Sequence, residues 1–359
     1  MQPSRLPQLR HHEADDSSTS TSSADSATRS TDLDALVSRC SAANLGYIRD
    51  DYASLFLPPS QRHSQNSKRP PLINIGTHAR TWAVDQLVRQ FLQKARGVQV
   101  LSLGAGTDTR FWRMRDEWTR ERPGQKWPCD RWVEVDFPES TSLKARTITI
   151  KPKLKEIIGS DYKIERGGTA LVSPTYAVVP GDLRRLDDLS RMLLDPLGIS
   201  SLNGPLLDPS KPTLLLLECV LFYLPSSNRK MILEWFVKTF RAPESFSMIV
   251  SYDPFGLQDA FGRVMLRNLA NRGLAIPMDA GASSIEHQVD IFEQAGFKRA
   301  RSMSIKQVRA KAIPPDELQR INLIEMIDEV EELNLVLDHY AVSYAFAYEN
   351  AVATDDIGL

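Results

Sequence analysis

The stretch Val98-Gln-Val-Leu-Ser-Leu-Gly-Ala-Gly106 constrains the fold more than any other part of the chain. An apolar run breaks at two glycines, and Thr107-Asp-Thr-Arg-Phe-Trp112 follows. This is the pattern of a buried strand that ends in a tight turn and opens a helix. In an α/β sheet such a turn lies at the carboxyl end of the strand, where ligands bind. Without side chains at Gly104 and Gly106, a ligand can come close to the backbone.

The 359 residues allow one or two domains, and 25% charged with 42% hydrophobic residues is ordinary globular composition. A net charge of −1 carries no footprint of nucleic acid or of a membrane surface. No apolar run approaches the roughly 20 residues of a membrane span, and the N-terminus lacks the apolar core of a secretory leader. Three scattered cysteines (Cys40, Cys129, Cys219) fit a reducing, cytoplasmic setting and exclude a disulfide framework. The pair His11-His12 is not expected to hold a metal, and no metal is expected elsewhere.

Residues 1–30, rich in Ser, Thr and Asp, cannot bury enough surface to offset ordering and are expected to be a disordered tail. Thr31-Asp-Leu-Asp34 reads as a capped helix start. A helical cap then spans 31–96, with an amphipathic piece from Tyr47 to Leu57, a polar loop at 58–71 and a long helix over 74–95. Strands are expected at 98–103, 131–136, 175–180, 213–218, 246–252, 297–308 and 339–347. Helices are expected at 108–120, 138–148, 185–194, 226–240, 257–272, 284–295 and 315–335. Residues 151–174 look like an insertion, and 349–359 form a C-terminal tail. The alternation specifies an α/β fold with a mostly parallel sheet covered on both faces. The pattern leaves open whether the last strand is parallel or antiparallel.

A dinucleotide fingerprint needs a third glycine where this chain has Thr109, so the turn by itself leaves the ligand open. Three further strand ends are acidic: Val133-Glu-Val-Asp136, Val178-Val-Pro-Gly-Asp182 and Leu214-Leu-Leu-Leu-Glu218. Each acid alone can be a helix cap or a surface group. Together on one rim they disfavour phosphates and favour a nucleoside with a cationic group. Asp136 can accept both ribose hydroxyls. Asp182 can accept from an adenine amino group while the amide of Leu183 donates to the ring.

Gly104-Ala-Gly-Thr-Asp-Thr-Arg-Phe-Trp112, Val133-Glu-Val-Asp-Phe-Pro138, Gly181-Asp-Leu-Arg184 and Glu218-Cys-Val-Leu-Phe-Tyr-Leu224 resemble the leucine carboxyl methyltransferases. Gly46-Tyr-Ile-Arg-Asp-Asp-Tyr52, Gly76-Thr-His-Ala-Arg-Thr81, Tyr252-Asp-Pro-Phe-Gly256 and Phe261-Gly-Arg-Val-Met-Leu-Arg-Asn-Leu269 extend the likeness over about 31–348. The resemblance implies a class I S-adenosylmethionine-dependent methyltransferase fold, with seven strands and an antiparallel last one. It implies S-adenosyl-L-methionine as cofactor and the C-terminal leucine of the type-2A protein phosphatase catalytic subunit as acceptor. Gly104 would then approach the amino-acid part of the cofactor, Asp136 the ribose, and Asp182 with Leu183 the adenine. Glu218 would sit near the methionine end, and Arg80 would bind a carboxylate. Arg39 stands where the family usually has Lys, which keeps the charge but not the geometry.

A terminal carboxylate, with a pKa of about 3.3–3.7, is already a nucleophile at neutral pH. The chain therefore needs alignment rather than a general base, and Arg80 and Tyr223 are the candidates to position the acceptor. Two other readings remain: methyl transfer to a small molecule or to a modified tRNA, and a non-catalytic module that binds a phosphatase tail. A monomer that contacts neither nucleic acid nor membrane is expected.

Overall fold

The computed structural model describes residues 16–61, 68–199, 204–240, 246–348 and 356–359. The chain starts with α1 (Asp16–Asn44), a short α2 (Ala53–Phe56) and α3 (Pro71–Lys94), whose Pro71 suits a first turn. Next come β1 (Val98–Leu103), α4 (Arg110–Glu121), β2 (Cys129–Asp136) and α5 (Pro138–Ile150). The inserted segment forms α6 (Pro152–Ile158), β3 (Lys163–Glu165) and β4 (Ala170–Val172). Then follow β5 (Tyr176–Pro180), α7 (Leu186–Leu194), β6 (Thr213–Glu218), α8 (Ser226–Thr239) and β7 (Met248–Pro254). The chain continues with α9 (Ala260–Asn271), α10 (Ile285–Gln294), β8 (Lys298–Ser304) and α11 (Ile305–Lys311). It closes with α12 (Pro315–Asn322), α13 (Val330–Asp338) and β9 (Tyr340–Phe346).

The strands form one sheet in the order β3-β4-β5-β2-β1-β6-β7-β9-β8. The five central strands are parallel, and β9 runs antiparallel to both β7 and β8. The seven-stranded α/β sheet with an antiparallel last strand is therefore present. The insertion at 151–174 adds two antiparallel strands at one edge.

Successive side chains of a strand point to opposite faces, and β1 divides the core accordingly. Val98 and Val100 join a cluster with α3, α4, α5 and α11, whereas Leu101 and Leu103 join one with α7, α8 and α10. Burying each such side chain contributes about 1.5–3 kcal/mol. β1 and β6 pair at the centre, where the strand order reverses. The crevice at that switch point is where the candidate residues converge.

Three expectations need correction. The expected disordered tail at 1–30 and the helix start at Thr31 do not hold for residues 16–30, which are the first half of α1. Residues 1–15, with His11 and His12, lie outside the described residues. Composition hides what holds α1: Leu36, Val37, Cys40 and Ala42 at its far end are buried in the core, and Asp25 pairs with Arg184, Arg29 with Glu139, and Asp34 with Arg69 and Arg272. Second, the strand expected at 297–308 stops at Ser304, because Ser304 and Gln307 form a reciprocal capping box that starts α11. Third, the helix expected at 315–335 is two helices. Between them Glu325 accepts hydrogen bonds from Asn74 (3.0 Å) and Tyr47 (3.1 Å). Ile324 and Ile327 pack on the core, so the link is pulled out of helical register.

Of the C-terminal tail, residues 356–359 are described. Gly358 exchanges two hydrogen bonds with Gln90 on α3 (2.8 and 3.0 Å), and Ile357 is buried. Six residues of the 58–71 loop, 62–67, lie outside the description.

Candidate active site

A cavity of about 280 Å³ opens at the carboxyl ends of β1, β2, β5 and β6. It is lined by Arg39, Arg80, Gly104, Asp136, Asp182, Leu183, Glu218 and Tyr223, so every candidate read from the sequence meets in one place.

The turn after β1 has φ of +65° at Gly104 and +45° at Gly106, a region other residues enter at a cost. A Cβ on Gly104 would meet Val220 at 2.6 Å, and one on Gly106 would meet Asp32 of α1 at 2.3 Å. The glycines thus serve the backbone and close neighbours as well as any ligand. Asp136 holds the turn: Gly106 N–H donates to Oδ2 and Phe137 N–H to Oδ1, both at 2.7 Å. Each carboxylate oxygen keeps capacity for one more donor, which is what a ribose diol needs. Burial pushes the Asp136 carboxyl up, against the pull of those two amides.

Asp182 is in the cavity, but its carboxylate already holds the Arg184 guanidinium, at 2.9 and 2.8 Å. Arg184 also forks onto Asp25 of α1 with two bonds of 2.9 Å. Burial opposes ionisation of Asp182, yet Arg184 outweighs it and the carboxyl stays below its ordinary value. Asp182 therefore ties the β5 end of the cavity to α1, which roofs it.

At the other end, Arg80 Nε donates to Glu218 Oε2 at 2.7 Å, and Arg110 pairs with Glu218 Oε1 at 2.5 Å. Arg110 bonds onward to Asp85 (2.7 Å) and Asp108 (2.5 Å), and Asp85 also holds Arg113 (2.5 Å). Burial works against the charge on Glu218, but Arg110 and Arg80 more than offset it and hold the carboxyl low. The same contest, won chiefly by Arg110, brings Asp108 to about 2. The face of the Arg80 guanidinium lies 4.6 Å from the Tyr252 ring, which stacks on Tyr340 at 5.4 Å. Arg80 is thus gripped in its plane and on its face. Among the described residues, its two terminal nitrogens have no partner. A bidentate carboxylate fits such a fork.

Arg39 lines the cavity and donates to the Thr107 carbonyl at 2.9 Å. Burial pushes the Tyr223 hydroxyl up to about 12, with Thr31 of α1 pulling the other way. Cys219, also in the cavity, has φ +56° and a thiol pushed by burial to about 12, so it stays protonated and weakly nucleophilic.

Sequence reasoning missed Arg110, Tyr252, Asp32 and Lys144. Asp32 accepts from the Thr107 amide and hydroxyl, both at 2.8 Å. Lys144 donates to the Asp108 carbonyl at 2.8 Å and pairs with buried Glu134 at 2.5 Å. Arg110 and Tyr252 stood inside the matched motifs without an assigned role. Lys144 left no local signal, since an expected surface lysine on α5 differs from a buried one only in the fold.

The donor set fits S-adenosylmethionine. The Asp136 carboxylate keeps acceptor capacity that suits a diol, and Arg39 in the same cavity suits a carboxylate. No phosphate-gripping lysine lines the cavity. Among the described residues no His, Cys, Asp and Glu group is placed to hold a metal, and no helix is long and apolar enough to cross a membrane.

A family model described as leucine carboxyl methyltransferase matches residues 27–237. Leucine carboxyl methyltransferase 1 of Cryptococcus neoformans is 41% identical over 89% of this chain and 93% of its own length. The protein of the same name from Schizosaccharomyces pombe is 34% identical, over 89% and 94%. The Arabidopsis thaliana homolog is 32% identical, over 89% of each chain.

Proposed function

Because this chain belongs to the leucine carboxyl methyltransferase family, we propose that it methylates the C-terminal leucine α-carboxylate of the type-2A protein phosphatase catalytic subunit. S-adenosylmethionine, when bound, supplies a methyl carbon on a sulfonium, open to displacement by an anionic oxygen. Asp136 and Leu183 hold its nucleoside, and Arg39 is on hand for its carboxylate.

The terminal nitrogens of Arg80 take the acceptor carboxylate, and Glu218 and Tyr252 keep that fork in one orientation. Arg80 would hold one carboxylate oxygen toward that methyl group, so that transfer would leave a methyl ester and the neutral thioether of the spent cofactor. No proton moves, because a carboxylate of pKa about 3.3–3.7 is already ionised. Alignment of this kind can supply roughly 7–11 kcal/mol of the barrier. The grip of Arg80 is moderated by Glu218, which already neutralises much of its charge. A full-strength grip would stabilise the ground state, since the acceptor loses its charge on methylation. Tyr223 bounds the acceptor side, and the protonated Cys219 thiol does not compete for the methyl group.

The observation that carries this reading is Arg80, fixed by Glu218 and Tyr252 with two donors to spare. The enzyme is proposed to act as a monomer in the cytoplasm, which suits its three free cysteines. The test supplies methyl-labelled S-adenosylmethionine with the phosphatase subunit, intact or lacking its last residue. Label on the intact subunit alone is expected; equal labelling of both would sink the terminal-carboxylate reading.

A further inference from the structure

Residues 260–278 carry Arg263, Arg267 and Arg272 and contain neither Asp nor Glu. In a chain with 44 basic and 45 acidic residues, that is a one-sided stretch. α9 fills most of it. Gly262 is buried, and Met265, Leu266 and Leu269 pack against Phe222, Leu257 and Ala280. Helical geometry then leaves Arg263, Val264 and Arg267 on the solvent side, where all three are exposed.

Arg263 and Arg267 are one turn apart, so their like charges repel. Arg263 donates to the Gln258 carbonyl at 2.6 Å but has no carboxylate. Arg267 has no hydrogen-bond or ion-pair partner among the described residues. Some exposed arginines have acids (Arg120 with Asp116, Arg185 with Asp188, Arg320 with Glu317), whereas others such as Arg49 and Arg146 have no ion pair among the described residues; Arg263 and Arg267 differ in standing one turn apart on one helix face. Even Arg272, at the end of the same helix, pairs with Asp34. Val264 and Met278 add exposed apolar surface. Asp259, one turn before Arg263, is held by the Gly262 amide and by His339 instead, so an outside acid would relieve the repulsion.

The face adjoins the acceptor end of the cavity. The inner side of α9 packs on the same Phe222 and Leu257 cluster as Tyr223, which lines that cavity, and Arg272 pairs with Asp34 on α1, which also borders it. We infer that the outer face of α9 docks an acidic segment of the acceptor protein while its terminal leucine occupies the cavity. The inference rests on the function proposed above and names how that acceptor is held.

The test compares the full chain with Arg263→Glu/Arg267→Glu, using the phosphatase catalytic subunit as acceptor at low and high salt. The double variant is expected to raise the acceptor KM at least tenfold at low salt, with kcat and S-adenosylmethionine affinity within twofold. Salt should raise the wild-type KM and leave the variant's nearly unchanged. Arg263→Lys/Arg267→Lys should restore the wild-type value. If wild type labels the subunit and the charge reversal leaves KM within twofold, the docking inference falls and the methylation reading stands. If wild type labels no subunit, both fall. A loss of kcat and cofactor affinity in equal measure would mean α9 is structural and would overturn it. So would wild-type binding to phosphatidylserine vesicles that the variant loses while methylating normally.

Discussion

Glu218 and Asp136, on the sheet edge, are held by groups buried with them, whereas Asp25, Arg29 and Asp34 on α1 are held by partners that face solvent. Arg110 and Asp85, behind Glu218, keep 4% and 3% of their side-chain surface exposed. Asp34 and Arg272, on the roof, keep 51% and 48%. Both regions line the same cavity, yet they differ in what holds them. In the cluster behind Glu218, Arg110 and Asp85 have lost nearly all their water and depend on their partners. In the roof water and salt compete with every pair. The floor can therefore fix geometry, while the ion pairs of the roof contribute little to it.

The largest test of that contrast is Glu218→Ala, which leaves Arg110 and Arg80 each short of a buried partner. A loss of about 3–5 kcal/mol is expected, read as a lower urea midpoint; an unchanged midpoint would place Glu218 outside the structural floor. Asp136→Ala removes the acceptor for Gly106 and Phe137 as well as the ribose partner. At about 1.5–3 kcal/mol per charged hydrogen bond, cofactor affinity should fall about 100-fold by calorimetry. Retained affinity would undo the ribose assignment.

The floor should also respond to pH. Burial pushes the Glu134 carboxyl up to about 7, against the pull of Lys144 and Tyr176. The native state then holds a proton that the unfolded chain releases near its ordinary value of 4.5. Glu134 thus contributes stability that is full below that value and lost as pH rises through about 7. Glu134→Gln should flatten the fall in unfolding free energy between about pH 5 and pH 8, by about 1–3 kcal/mol. Parallel wild-type and variant slopes would contradict this. The smallest effect is expected in the roof. Asp25→Asn should cost less than about 1 kcal/mol of stability and weaken cofactor binding by less than about fivefold, and that difference should fade at high salt.

The same division explains what could be read from the sequence. Strands and acidic strand ends of the floor are local patterns: an apolar run, a turn, a carboxylate. Gly104, Asp136, Asp182 and Glu218 could be placed on one rim because alternation specifies the sheet. α1 could not be read that way. Its Ser, Thr and Asp residues have poor helix propensity, and what orders them lies far along the chain at Glu139, Arg184 and Arg272. Arg110 shows the limit inside a motif: its place in the sequence was plain, but its three acids come from α3, the β1 turn and β6. The split of 315–335 likewise depends on Glu325 meeting Tyr47 and Asn74, which periodicity cannot register.

We propose that Arg80, held by Glu218 and Tyr252, presents a carboxylate oxygen for methylation. The most direct measurement compares label transfer to the phosphatase subunit ending in leucine carboxylate with transfer to the same subunit ending in leucine amide. The account predicts a methyl ester on the first and no label on the second. Label on the amide form at a comparable rate would contradict it.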